Sequence, residues 1–432
     1  MTTGGRQRRR LTATETDLGV TRQRAYLVSV VTTGITDREA ELSMAELTEL
    51  TRTAGSDPEG KVILNRDRID AATFIGKGQA KRIQQETNAA DVDVVVFDNA
   101  LSPVQQRNLQ EIFGCDVVDR TALILDIFAQ HATSKAGMLQ VELAQLRYRL
   151  PRLRGRGIAL SRLAGGIGTR GPGESKLETD RRRIGTRITK LEKELAHIGT
   201  VRTTQRKARA KADVAGVALV GYTNAGKSTL LNALTDAGSL TEDQLFSTLD
   251  ATVRRLELPS GPVLLSDTVG FVRNLPHELV EAFRSTLEQI SEAELLIHVV
   301  DASNPDPDRQ IAAVREVLSE IDALGVPELI VFNKTDIARP VAVDRLLSLH
   351  PGALAISARD GIGLDLLLNQ LAETRRADHV VAAFVVPYDH GEVVAGLHRD
   401  GEVLEESFED DATHLKVRGP VAVLHTYDEY RT

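Results

Sequence analysis

The run "VAGVALVGYTNAGKSTLLNAL", Val214 to Leu234, restricts the fold more than any other stretch of the chain. An apolar segment leads into a tight loop bracketed by Gly221 and Gly226, and a helical pattern of leucines follows at once. That order of strand, glycine loop and helix calls for a buried, mostly parallel sheet with helices packed on it. In such a loop the successive backbone N–H groups of Gly221, Tyr222, Thr223, Asn224, Ala225, Gly226, Lys227, Ser228 and Thr229 can wrap phosphate oxygens. Lys227 then reaches the β and γ phosphates, and the Ser228 hydroxyl is placed to ligate Mg²⁺.

Three further signals follow in chain order. "VLLSDTVGF" is an apolar strand ending in Asp267-Thr268-Val269-Gly270, 46 residues after Gly221. Asp267 is expected to hold Mg²⁺ through water, and the Gly270 N–H to meet the γ-phosphate. "ELIVFNKTD" sets Asn333, Lys334 and Asp336 beyond another buried strand. A carboxylate at Asp336 can accept two hydrogen bonds from guanine, and adenine, which cannot offer them, leaves the group unpaired. "LAISA" supplies Ser357 and Ala358, whose backbone can meet the guanine carbonyl, while Lys334 lies along the base plane. Taken together the four signals imply GTP as ligand. Between the first two, "DQLFSTLDATVRR" offers a threonine to close on Mg²⁺ and γ-phosphate, with Thr248 the first choice and Thr252 the second. Lys227, Thr248 and Gly270 are thus the candidate catalytic groups. Ser228, Thr248 and Asp267 are the candidate metal ligands. Phe271 stands where many GTPases carry a glutamine that orients the attacking water. Slow intrinsic hydrolysis, sped up by a partner, is therefore expected.

A length of 432 residues exceeds one core and implies several domains. Residues 1–24 read as a disordered basic tail. Residues 25–118 alternate buried strands ("RAYLVSVV", "VDVVVFDN") with helices ("SMAELTELTRTA", "SPVQQRNLQEIF") and read as a small α/β domain, with Ser102 as an N-cap before Pro103. Residues 119–212 read as a long antiparallel helical hairpin. Leu139, Leu143, Leu146 and Leu150 form one seam that stops at Pro151, and Ile184, Ile188, Leu191, Leu195 and Ile198 form the other. Residues 213–375 are the GTPase domain. Residues 376–432 read as a small C-terminal α/β domain with two strands around a helix. The fold class expected is α/β throughout, with a doubly wound sheet around the phosphate loop.

The net charge of −8 hides an asymmetry. Residues 143–212 carry 19 Lys/Arg against 5 Asp/Glu, so this stretch holds +14 and the rest of the chain −22. Such a face suits a polyanion. The stretch "GGIGTRGPGES" joins the two seams, but no buried strand precedes it, so it is not a second mononucleotide site. Arg162, Arg170, Lys176, Arg181, Arg182 and Arg183 flank it as candidate RNA contacts. Tyr148 is the one aromatic residue in the basic stretch, so phosphate electrostatics rather than base stacking should dominate. "GKGQAK", Gly76 to Lys81, lacks the spacing of a phosphate loop, leaving a second nucleotide in the N-terminal domain open. His390, His398 and His414 are scattered, and the single Cys115 permits no internal disulfide, which fits a reducing cytoplasm. No run is apolar enough to span a membrane, and a monomer is expected.

The wording of these motifs resembles the HflX GTPases. "FSTLDATVRR" and "DTVGFVRNLPHELVEAFRSTLEQ" carry the likeness within the GTPase domain. Outside it, "FIGKGQAKRIQ", "VVFDNALSPVQQRNLQ", "DRTALILDIFAQHA", "LQVELAQLRYRLPRLRG" and "GGIGTRGPGESKLETDRRRI" extend it over nearly the whole chain. Ala251 stands where a proline is usual, and Ala136 and Met138 replace a Glu and a Lys of the family pattern. The resemblance implies binding to the 50S ribosomal subunit and its rRNA, and splitting of stalled or idle ribosomes in the GTP state. Two other readings compete. A GTPase acting on another RNA shares the basic face, and a GTP-regulated protein-binding adaptor would predict a charge-balanced hairpin.

Overall fold

The computed structural model describes residues 22–153, 172–211, 215–235, 245–246, 252–273, 279, 283, 287, 290–377, 379–409 and 411–432, without the side chains of 172–177, 201–211, 377, 379 and 420–422. The chain falls into two compact units, Met1–Ile127 and Phe128–Thr432.

In the first unit four parallel strands, β1 (Gln23–Val31), β2 (Ser56–Asn65), β3 (Val94–Phe97) and β4 (Asp116–Asp119), pair in the order β2-β1-β3-β4. Strand β1 starts inside the stretch read as tail. Helices α1 (Asp37–Thr53), α2 (Lys77–Ala89) and α3 (Pro103–Phe113) connect the strands, and α4 (Arg120–His131) follows β4. The caps are those the sequence specifies. The Ser102 hydroxyl accepts from the Gln105 N–H while the Gln105 side chain accepts from the Ser102 N–H, with Pro103 in the first turn. Gly76 precedes α2 with φ 77, but 11 residues separate that helix from the end of β2, so the region lacks the direct strand-to-loop-to-helix passage of a phosphate loop.

In the second unit, α5 (Lys135–Arg152) and α6 (Pro172–Lys211) form the hairpin. Leu139, Leu143 and Leu191 are buried on its seam, with Leu146, Ile188, Leu195 and Ile198 packed against them. Each fully buried leucine contributes about 1.5–3 kcal/mol. Pro151 does not stop α5 as expected; it lies in the last turn, and the helix ends after Arg152. Cations of the basic stretch also hold the two helices together. Arg187 donates to both carboxylate oxygens of Glu142, at 2.7 and 2.5 Å, and Arg147 to Glu192 at 2.9 Å. The hairpin is therefore less free in charge than a count along the chain implies.

The GTPase sheet has six strands in the order β10-β9-β8-β5-β7-β6. They are β5 (Ala215–Gly221), β6 (Thr252–Leu258), β7 (Gly261–Asp267), β8 (Leu295–Asp301), β9 (Glu328–Asn333) and β10 (Leu354–Ala355). All run parallel except β6, which is antiparallel to β7. Helices α7 (Lys227–Thr235), α8 (Pro307–Glu320), α9 (Pro340–Leu349) and α10 (Leu364–Ala377) belong to this layer. The chain leaves β5 toward β7 on one side and returns to β8 on the other. Strand β5 thus lies at the switch point, and its carboxyl end is where an α/β sheet binds ligands.

The C-terminal sheet contains three antiparallel strands, not the two expected: β11 (His379–Pro387), β12 (Glu402–Phe408) and β13 (Ala412–Pro420), ordered β11-β13-β12. Helix α11 (Gly391–Asp400) and the short α12 (Val421–Leu424) accompany them, and Phe384, Leu397, Leu415 and Val417 form the core. Among the described residues no helix is long and apolar enough to cross a membrane.

Candidate nucleotide site

The loop Gly221–Gly226 crosses the carboxyl end of β5 and opens α7. Its two glycines are required by close approach. A Cβ at Gly221 would strike the Val299 carbonyl oxygen of β8, and one at Gly226, where φ is +92, would strike the Asn333 amide. Between them Asn224 takes φ 58, Tyr222 is partly covered, and Thr223 and Ala225 are buried. Lys227 is 6% exposed and donates its ammonium to the Gly221 and Tyr222 carbonyls at 3.1 and 3.0 Å. Burial pushes this lysine down to about 8, against the pull of Asp267.

Beside it, the Ser228 hydroxyl donates to Asp267 at 2.5 Å. A hydroxyl and a carboxylate meeting at the loop form a hard oxygen set that fits Mg²⁺, which takes one or two protein ligands alongside phosphate oxygens. Thr229 follows in the first turn of α7. Thr248 lies outside the described residues, whereas Thr252 opens β6 opposite Asp267.

The segment after Asp267 is tied to the loop. The Thr268 hydroxyl donates to the Leu219 carbonyl at 2.7 Å. The Thr223 N–H donates to Phe271 O at 2.7 Å, the Phe271 N–H to Gly221 O at 3.1 Å, and the Arg273 N–H to the Tyr222 hydroxyl at 2.7 Å. Phe271 is buried, so its ring meets the core and not the solvent above the loop.

The base side is equally cross-braced. Asn333 donates to the Ala225 carbonyl at 2.9 Å and accepts from the Ala358 N–H at 2.9 Å, joining three segments. The Ser357 hydroxyl donates to Asp336 at 2.9 Å and fixes one carboxylate oxygen. Lys334 has φ 64 and pairs with Asp301 at 2.7 Å, while the other oxygen of Asp301 accepts from the Ser303 N–H and hydroxyl at 2.8 and 2.6 Å. Sequence reasoning missed Asp301. Its signal was a lone carboxylate ending the buried strand next to the one that carries Asn333.

Of the candidate RNA contacts, Arg181, Arg182 and Arg183 are exposed on α6. Arg162 and Arg170 lie outside the described residues, as does the Lys176 side chain. Tyr148 is covered by the Arg152 guanidinium, 3.4 Å from the ring centroid.

A phosphate loop at the switch point of a doubly wound sheet, an aspartate on the next strand, and an Asn-Lys-x-Asp strand end braced to Ser357-Ala358 define a P-loop GTPase. Comparison with known proteins agrees. Family models described as GTP-binding GTPase N-terminal, GTP-binding GTPase Middle Region and 50S ribosome-binding GTPase match residues 41–129, 131–209 and 216–334. The GTPase HflX of Caldanaerobacter subterraneus subsp. tengcongensis is 46% identical over 401 residues, covering 93% of this chain and 92% of its own. That of Escherichia coli (strain K12) is 41% identical over 403 residues, covering 92% and 94%. A solved GTP-binding protein from the archaeon Sulfolobus solfataricus, in complex with GDP, aligns over 82% of this chain and 98% of its own, at 25% identity and a TM-score of 0.43. The chain belongs to the HflX family of GTPases: it binds guanine nucleotides and hydrolyses GTP.

Proposed function

We propose that this GTPase binds the 50S ribosomal subunit in its GTP state, through rRNA phosphates met by the basic hairpin, and separates stalled or idle 70S ribosomes. The observation that carries the reading is the exposed row Arg181, Arg182 and Arg183 on a helix of a hairpin whose sequence holds +14 between residues 143 and 212. Such a face favours a phosphate backbone over a charge-balanced protein partner. Arg152 covering Tyr148 adds to this, because the one aromatic of the stretch has a face already occupied. The family description as a 50S ribosome-binding GTPase supports the ribosome over another RNA as partner.

Within the GTPase domain, Lys227 and the N–H groups of Gly221 to Thr229 hold the phosphates, and Ser228, Asp267 and Thr248 hold Mg²⁺. Mg²⁺ neutralises charge on the β and γ phosphates when bound. Asp336 accepts from guanine N1 and its exocyclic amine, Ala358 donates to the base carbonyl, and Lys334 lies along the ring. The Gly270 N–H reads the γ-phosphate. Phe271 offers no polar group to the water, so the ribosome accelerates hydrolysis and thereby its own release of the factor. The protein works in the cytoplasm as a monomer.

The deciding experiment is co-sedimentation with 50S subunits across a salt series, with GDP and with a non-hydrolysable GTP analogue. Binding favoured by the analogue and lost steeply with salt is the expected outcome. Equal binding in both nucleotide states, or none, overturns the proposal.

A further inference from the structure

With Phe271 turned into the core, hydrolysis by the chain on its own needs another group to orient water at the γ-phosphate. One side chain of the phosphate loop meets the requirements. Thr223 is 6% exposed, and its hydroxyl oxygen is buried with no hydrogen-bond partner among the described residues. An unpartnered buried hydroxyl costs about 1–3 kcal/mol, whereas valine would fill the same volume without that cost.

Its location is specific. The Thr223 N–H is bonded to Phe271 O at 2.7 Å, which fixes Thr223 beside the position where other GTPases carry glutamine. A Cβ built on Gly270 would lie 2.8 Å from Thr223 Cγ2 and 3.2 Å from Lys227 Nζ. Thr223, Gly270 and the Lys227 ammonium therefore converge on one point. The γ-phosphate must approach that point if Lys227 and the Gly270 N–H both meet it. Rotation of Thr223 χ1 by one staggered well moves Oγ1 into the position held by Cγ2, with Cγ2 passing to that of the hydrogen, and so brings the hydroxyl to the same point.

We propose that the Thr223 hydroxyl positions the attacking water at the γ-phosphate of GTP. It accepts a hydrogen bond from the water and donates one to a γ-phosphate oxygen. The water oxygen bonds to phosphorus as the bond from phosphorus to the β,γ-bridging oxygen breaks. That electron pair stays on GDP, and the water proton leaves with inorganic phosphate. Thr223 gains and loses no proton overall.

The test is single-turnover hydrolysis of GTP with Mg²⁺ by the full chain in excess, without ribosomes, together with nucleotide affinity. Thr223→Val keeps the shape and removes the hydroxyl, and should slow hydrolysis on the order of a hundredfold, the loss seen when one preorganised hydrogen-bonding group is removed. GTP affinity should fall far less than the rate, and the free protein should melt no lower than the parent, since valine removes an unpartnered buried hydroxyl. Thr223→Ser restores the hydroxyl and should recover most of the rate. A wild-type rate in Thr223→Val overturns the proposal. So does an equal loss in Thr223→Ser, which would make the methyl contact with Gly270 the feature that matters. If Thr223→Val fails to fold, an unimpaired rate in Thr223→Ala overturns it equally.

Discussion

Phe128, near the end of α4, meets Phe246 edge to face, with ring centroids 4.7 Å apart and planes at 84°. Phe246 comes from the segment between the phosphate loop and Asp267, and it holds this position at a positive φ of 61. The Phe128 ring also meets Phe283, which follows Asp267, at 4.9 Å and 77°. All three rings are buried. One ring thus packs against a residue from each side of Asp267 in the chain. Phe128→Ala should cost about 3–5 kcal/mol in denaturant unfolding, combining lost transfer free energy with a cavity. It should also speed GDP release, read by stopped flow with a fluorescent nucleotide. Phe128→Leu should cost clearly less. Equal stability for all three proteins would contradict the anchoring.

Lys227 gives the free protein a pH dependence with a definite sign. Burial sets its pKa at about 8, below the 10.5 of an exposed lysine. From about pH 8 up to 10.5 the unfolded chain thus binds more protons, and this group makes the free protein more stable as pH rises. Bound phosphates favour the charged form, so above about pH 8 nucleotide binding takes up a proton and affinity falls with pH. Calorimetric titration with GDP at pH 9, in buffers of different ionisation heat, should report uptake approaching one proton. No uptake would refute the assignment.

Asp301 and Asp336 should separate affinity from base choice. Asp301→Asn weakens the 2.7 Å pairing that holds Lys334 and should weaken GTP and GDP together, on the order of tenfold, with guanine preference kept. Asp336→Asn should lower the preference for guanine over other bases. Competition binding with GDP, IDP and ADP distinguishes them, and a loss of base preference in Asp301→Asn would place that residue in the wrong role.

Replacing Arg181, Arg182 and Arg183 by alanine should leave GTP affinity unchanged while flattening the salt dependence of ribosome binding. Each lost phosphate contact removes about 0.7–0.9 from the slope of log affinity against log salt. An unchanged slope would mean that these exposed arginines face water in the complex.

Much of the nucleotide site was legible because its signals are local. Gly221 to Ser228 carry strand, loop and helix within one short window, Asp267 and Asn333 each end an apolar strand, and Ser357 lies two residues past another. The hairpin seam was legible for the same reason, since a spacing of four and three residues marks one face of a helix wherever that helix sits. Strand β12 was not legible. Nearly all of its residues, Glu402–Phe408, are exposed, so no hydrophobic period announces it, and only pairing with β13 makes it a strand.

The sequence by itself determined the parallel α/β architecture around the glycine loop, the Asn-Lys-x-Asp motif at a strand end and the basic hairpin, because periodicity and short motifs encode these within a few turns of chain. Only the tertiary structure decided that Thr223 lies against Gly270, that Asp301 holds Lys334 and that Phe128 anchors Phe246. It alone separated Arg187 and Arg147, paired with Glu142 and Glu192, from the exposed Arg181 to Arg183. The reason is physical. Hydrogen bonds and ion pairs act over a few ångströms of space, and residues far apart in the chain reach that range only after helices and strands have packed.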